Sequence, residues 1–165
     1  MTVTAMTKDP ERCSMTVVAE YPATAALVWQ LWADWQQLER WWGPPAFPAT
    51  VTAHDLAAGG VVRYYMTGPD EERYHGGWRI LCAEAPSRLE FEDFFADEDG
   101  AENADLPQTR TVVSIEDTGA GITRMVIESH FPSSEAMAQV LEMGMEEGFK
   151  QALSQTDALL AEQPT

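Results

Sequence analysis

Residues Ser133 to Glu162 read SSEAMAQVLEMGMEEGFKQALSQTDALLAE, and they decide the fold class because no other segment keeps a helical pattern over such a length. Ser133 and Ser134, directly after Pro132, offer side-chain oxygens to the free N–H groups of a helix start, and Glu135 places negative charge at the positive end of the helix dipole. At 100° per residue, Leu141, Met145, Phe149, Ala152, Thr156 and Leu160 fall on one stripe. Glu146, Lys150, Ser154 and Asp157 fall opposite. The pattern predicts a single amphipathic helix to Glu162, roughly 43 Å long at about 1.5 Å per residue. An element of that length lies across a whole sheet and closes whatever the sheet encloses.

The rest of the chain supplies the sheet. Cys13 to Tyr21 alternate with a period of about two and read as a half-buried first strand. Pro22 ends it, and Thr24 caps a helix through Leu27, Val28, Leu31 and Trp32. A second short helix covers Gln36 to Trp41 and stops at WWGPP, Trp41 to Pro45. Six further strands are predicted near Thr50 to Asp55, Val61 to Thr67, Tyr74 to Cys82, Arg88 to Phe95, Thr109 to Glu116 and Ile122 to His130. Turn signals separate them: AAGG, TGPDEE, EAPS, ADEDGAENADLPQ and DTGAG. The expectation is an α+β domain over 13–162 with a flexible N-terminus over 1–12: an antiparallel sheet of about seven strands, two short helices and a long C-terminal helix packed across it.

With 165 residues, 45% of them hydrophobic, and six tryptophans, the chain is long and apolar enough for one core. Ten Lys and Arg against 27 Asp and Glu leave a net charge of -17, which repels nucleic-acid backbones and anionic lipid surfaces, so neither partner is expected. No stretch is apolar enough for a signal peptide or a membrane span, and a cytoplasmic protein is expected. Cys13 and Cys82 share no CxxC spacing and read as small buried hydrophobes; no metal site and no cofactor are expected.

Catalytic signatures are missing: there is no GxSxG, HExxH, GxGxxG or P-loop pattern, and His54, His75 and His130 share no ligand spacing. The acidic segment Asp97 to Glu102 reads as a solvated hairpin tip. Asp93 is the carboxylate of most interest. On a regular strand Phe91, Asp93 and Phe95 share a face, and an acid between two phenylalanines in an apolar cavity has a raised pKa and donates a hydrogen bond or shuttles a proton. The alternative is an edge position where Asp93 reaches water or pairs with Arg63 or Arg124. Trp29, Trp32, Trp41, Trp42 and Trp78 wall a pocket or simply fill the core. The pairs Gly59-Gly60 and Gly76-Gly77 are assigned to turn or bulge geometry, since neither leads into a helix.

This order of elements outlines a helix-grip fold, and several stretches narrow it. Trp41-Trp42-Gly43-Pro44, Ala58-Gly59-Gly60 ahead of a strand carrying Arg63, Gly68-Pro69-Asp70, Gly76-Gly77-Trp78, Ala85-Pro86-Ser87-Arg88-Leu89-Glu90-Phe91, Gly121-Ile122-Thr123-Arg124 and Gly148-Phe149 together resemble the bacterial proteins related to the activator of the heat-shock-protein-90 ATPase. That family belongs to the START-like SRPBCC superfamily, which also holds polyketide cyclases and lipid-transfer domains. The resemblance implies a cavity between sheet and long helix and no shared catalytic residue. Gly148-Phe149 stands where relatives usually have Gly-Trp.

The leading expectation is a binding module in which Trp42, Phe47, Trp78, Phe91, Phe95, Met145 and Phe149 line a cavity for an apolar or aromatic small molecule. A binding role is favoured over an enzyme. The enzymatic alternative is a cyclase, dehydratase or hydrolase using Asp93, with Arg63 or Arg124 as electrostatic support. A third reading, implied by the resemblance, is a domain that contacts a chaperone. A homodimer is left open.

Overall fold

The computed structural model describes residues 3–162. Among the described residues eight strands form one antiparallel sheet: β1 (Val3–Asp9), β2 (Ser14–Tyr21), β3 (Ala49–His54), β4 (Val61–Thr67), β5 (Arg73–Glu84), β6 (Arg88–Ala96), β7 (Thr109–Asp117) and β8 (Thr123–His130). Their spatial order is β1-β2-β8-β7-β6-β5-β4-β3, so the first hairpin joins the last strand and the remaining neighbours are consecutive in sequence. Helices α1 (Ala25–Ala33) and α2 (Trp35–Trp41) connect β2 to β3, and α3 (Ser134–Glu142), α4 (Met145–Leu153) and α5 (Thr156–Ala161) follow β8. The helix-grip architecture expected from the sequence is present, with one strand more than predicted.

The additional strand is β1. Residues assigned to a flexible N-terminus pair with β2 from Val3↔Ala19 to Asp9↔Ser14. Cys13 is the turn between them, at φ 52°, and is only half-buried, as is Cys82; neither is the buried hydrophobe expected.

The long C-terminal helix is three helices. Gly144 lies at φ +89° between α3 and α4, a left-handed conformation that ends one helix before the next begins. The second junction is milder. Ser154 Oγ donates to the Gln151 carbonyl and Thr156 Oγ1 to that of Leu153, both at 2.6 Å, tightening the turn between α4 and α5. Ser133 caps α3 as expected, accepting from Ala136 N at 3.0 Å. Thr24 caps α1, and Asp34 closes α1 while its carboxylate accepts from Gln36 N to open α2.

The core forms where α1 and α2 meet the sheet. Trp32 is wholly buried against Trp41 at 4.8 Å edge-on, and against Trp78 and Phe91 at 5.9 and 6.2 Å. The α5 end is fixed through Tyr21, whose hydroxyl meets Thr156 Oγ1 at 2.8 Å in a buried contact. Burial pushes the Tyr21 hydroxyl pKa far up, so it remains a neutral hydrogen-bonding group. None of the described helices is long and apolar enough to cross a membrane.

The two glycines of the C-terminal segment should respond oppositely to alanine. A Cβ at Gly144 meets nothing within 4 Å, so Gly144→Ala should cost about 1 kcal/mol through its left-handed backbone alone. Gly148, inside α4 with equally open surroundings, should gain roughly 0.5–1 kcal/mol as Ala. Urea denaturation of both variants checks the sign.

Candidate functional site

The site grows from the register of three central strands. On the inner face, Val62, Trp78 and Asp93 form one row, Tyr64, Gly76 and Phe95 the next, and Met66 and Tyr74 the one after. Burial falls along these rows: Val62 and Trp78 are sealed, Tyr64, Asp93 and Phe95 are half-buried, and Tyr74 is 55% exposed. The interior is therefore filled at one end and approaches solvent at the other.

Gly76 and Gly77 make this possible, and their role differs from the turn or bulge expected. Both pair regularly within β5. A Cβ on Gly76 would stand 2.6 Å from the Tyr64 hydroxyl, and one on Gly77 would stand 2.6 Å from the Phe94 ring on the other side of the sheet. Without a side chain at position 76, the Tyr64 phenol lies flat over β5 and reaches the next strand.

There its hydroxyl donates to Asp93 Oδ1 at 3.2 Å. Burial raises the Asp93 carboxyl to about 7, partly opposed by that hydrogen bond. Tyr64 is pushed well above its ordinary value, first by burial and then by the charge on Asp93. The indoles of Trp42 and Trp78 act against this increase, close enough to favour the ionised phenol without meeting it in a regular hydrogen bond. Trp42 Nε1 and Trp78 Nε1 are buried and unpartnered, two of three such side-chain atoms among the described residues, with Gln37 Oε1 the third. Four polar groups thus converge in an apolar setting: one acid, one hydroxyl and two indole N–H donors near the hydroxyl that make no regular hydrogen bond.

The predicted lining residues divide by depth. Trp78 and Phe91 are fully buried and stack at 4.1 Å, and no water-sized space borders either ring. Trp42 meets Trp78 edge-on at 4.8 Å and Tyr64 at 6.0 Å. Phe149 stands over Trp42 at 6.1 Å, with Met145 one turn earlier on α4, both half-buried. Phe95 lies on the inner face, and Phe47 sits at the rim against Tyr74 at 5.9 Å. Gln155 Nε2 donates to the Gly43 carbonyl at 2.8 Å, holding the α4–α5 junction against the WWGPP loop. Trp29, Trp32 and Trp41 are core.

The arginines do not join Asp93. Arg63 projects from the outer face of β4, one residue out of phase with Tyr64, and Arg124 pairs on the surface with Glu20 at 3.3 Å. The polar side chain that meets Asp93 is Tyr64. Tyr64 was the residue that sequence reasoning missed. Its place beside Val62 and Met66 in the alternation of β4 was the available signal.

Asp93 predicts an unusual pH dependence. The unfolded carboxyl releases its proton near 3.8 and the native one near 7, so between these values the native state binds more protons. Stability contributed by Asp93 should fall as pH rises through that window and level off above it. Asp93→Asn should remove the fall, so its advantage over the parent in denaturation midpoint should grow from pH 4 to pH 8.

A family model described as activator of Hsp90 ATPase homolog 1-like protein matches residues 22–161. Among solved structures, a Mycobacterium smegmatis protein is 44% identical, with a TM-score of 0.89 and 99% of each chain covered. An Arthrobacter aurescens protein is 47% identical, with a TM-score of 0.92, covering 99% of this chain and 95% of that one. DynU16, from the dynemicin biosynthetic locus, shares the fold at a TM-score of 0.62 and 16% identity, over 87% of this chain and 47% of its own. Among curated proteins none matches. The resemblance carried by the WWGP, GGW and APSRLEF stretches therefore holds: this chain belongs to the activator of Hsp90 ATPase homolog 1-like family.

Proposed function

We propose that the chain binds an aromatic small molecule bearing a carbonyl or phenolic oxygen, held between the inner face of β4–β6 and helix α4. The observation that carries this reading is the pair of buried, unpartnered indole N–H groups beside Tyr64 and Asp93. An unpaired buried donor costs about 1–3 kcal/mol, so two together are a standing demand for an acceptor. A ligand oxygen that displaces the side chains now covering Trp42 Nε1 and Trp78 Nε1 meets that demand. Its ring then lies among Phe95, Met145 and Phe149, and the Tyr74–Phe47 rim provides the way in.

A second reading rests on Asp93. A carboxyl titrating near 7 and hydrogen-bonded to a phenol is suited to proton transfer at neutral pH, so the bound molecule is also a candidate substrate for general acid–base chemistry. In that case Asp93→Asn abolishes turnover while leaving binding largely in place.

Organic extraction of the purified protein followed by mass spectrometry tests the binding reading, together with a tryptophan-quenching titration using 1-naphthol as the probe. Saturable quenching is expected, weakened roughly five- to tenfold in Trp42→Phe, which removes one donor worth about 1 kcal/mol. Absence of saturation, or an affinity unchanged in Trp42→Phe, would rule the site out.

A further inference from the structure

Arg63 belongs to a different arrangement. On the outer face of β4 and β5, the cross-strand neighbours Tyr65 and His75 lie with ring centroids 5.5 Å apart and form the floor of a cleft of about 280 Å³. Arg63 stands on one side of this pair. On the other, the Arg73 guanidinium lies 4.4 Å over the Tyr65 ring. Thr52 closes the wall toward β3, its hydroxyl fixed by the Arg63 carbonyl at 3.3 Å. Gly100, at φ +84°, brings the acidic hairpin over the cleft, and a Cβ there would come within 3.1 Å of Arg63 Nη1.

The charge census sets these two arginines apart. With 27 carboxylates for ten Lys and Arg, an unpaired acid is the ordinary case in this chain and an unpaired cation the exception. Lys8, Arg12, Arg40, Arg79, Arg88, Arg110 and Arg124 each hold an acid. Among the described residues Arg63 and Arg73 are in no ion pair, and both line one cleft; Lys150, the other unpaired cation, stands apart on α4. Glu98 and Asp99 sit on the lip of the cleft without reaching either guanidinium.

We propose that this outer cleft binds the carboxylate or phosphate group of a small organic anion, with Arg63 and Arg73 as its two arms. Two planar guanidinium forks on either side of an aromatic floor suit a compact oxyanion better than a point charge. The volume lies just below the range of about 300–1,000 Å³ usual for small-molecule sites, enough for one oxyanion group and a short stem. The net charge of -17 and the acids on the lip repel extended polyanions, which selects for a small ligand. Arg63 and Arg73 lie on the face of the sheet opposite Asp93, and the cleft shares only Tyr64 and Gly76 with the interior site.

Amide NMR titration of the full chain at constant ionic strength tests this, using inorganic phosphate in one arm and succinate in the other. Saturable shifts are expected at Thr52, Tyr65, His75 and Gly100, and the arm that saturates at the lower concentration identifies the head group. Arg63→Gln and Arg73→Gln, both exposed and expected to fold normally, should each weaken binding about fivefold or more, as loss of a charge-assisted pair does. The Glu98→Gln/Asp99→Asn double variant should tighten it. Shifts that grow linearly, that chloride reproduces, or that persist unchanged in the double arginine variant overturn the proposal.

Discussion

Everything in this fold hangs on how Trp32 is seated. It is the residue through which α1 and α2 are fastened to the sheet, with Trp41 edge-on to one side and Trp78 and Phe91 on the other. Each large aromatic removes some 150–250 Å² from water, and aromatic pairs add about 0.5–1.5 kcal/mol beyond that area. Within this cluster the core indoles are also satisfied: Trp32 Nε1 donates to Met125 Sδ at 3.2 Å and Trp41 Nε1 to the Leu31 carbonyl at 2.7 Å. Trp42 and Trp78 belong to the same aromatic mass and have no such partner. The division between core and site is therefore drawn by hydrogen bonding rather than by hydrophobicity.

Much of the sheet was legible in the sequence because its turns announce themselves. The Gly, Pro and Asp clusters between strands bracket β3 to β8 to within a residue or two, and β6 alternates regularly enough to put Phe91, Asp93 and Phe95 on one face. The irregularity of the β5–β6 pair falls between Ile80 and Cys82, beyond the site, so it does not reverse the faces there. β1 was not legible, since VTAMTKD buries no residue fully and lacks a period of two. The division of the last helix escaped as well. Apolar periodicity continues through Gly144, and only a backbone angle reveals that the helix does not.

The candidate site was legible in part for a similar reason. Asp93 stood out because its strand neighbours are aromatic, and strand parity was enough to place it. What it would meet was beyond reach, because the Tyr64 hydroxyl arrives from two strands away, across a glycine of β5, and the indole of Trp42 arrives from a loop. Arg63 and Arg124 attracted attention as complementary charges, yet they lie where hydration favours them, on the outer face.

Gly76 and Gly77 carry a consequence for how this protein can change over generations. Adjacent residues of one strand face opposite sides, so the vacancy at one opens only inward and the vacancy at the other only outward. A glycine within a strand gives up about 0.5–1 kcal/mol of backbone order, and here the chain does so twice in the middle of its longest strand. In return, the two surfaces can drift separately. A one-base change toward alanine at the first glycine would crowd the Tyr64 phenol and leave the outside unaltered, while the same change next door would dislodge Phe94 beneath the Arg79 guanidinium and spare the inside. The strand works as a partition one backbone thick, and its two sides can be inherited, lost or remodelled independently.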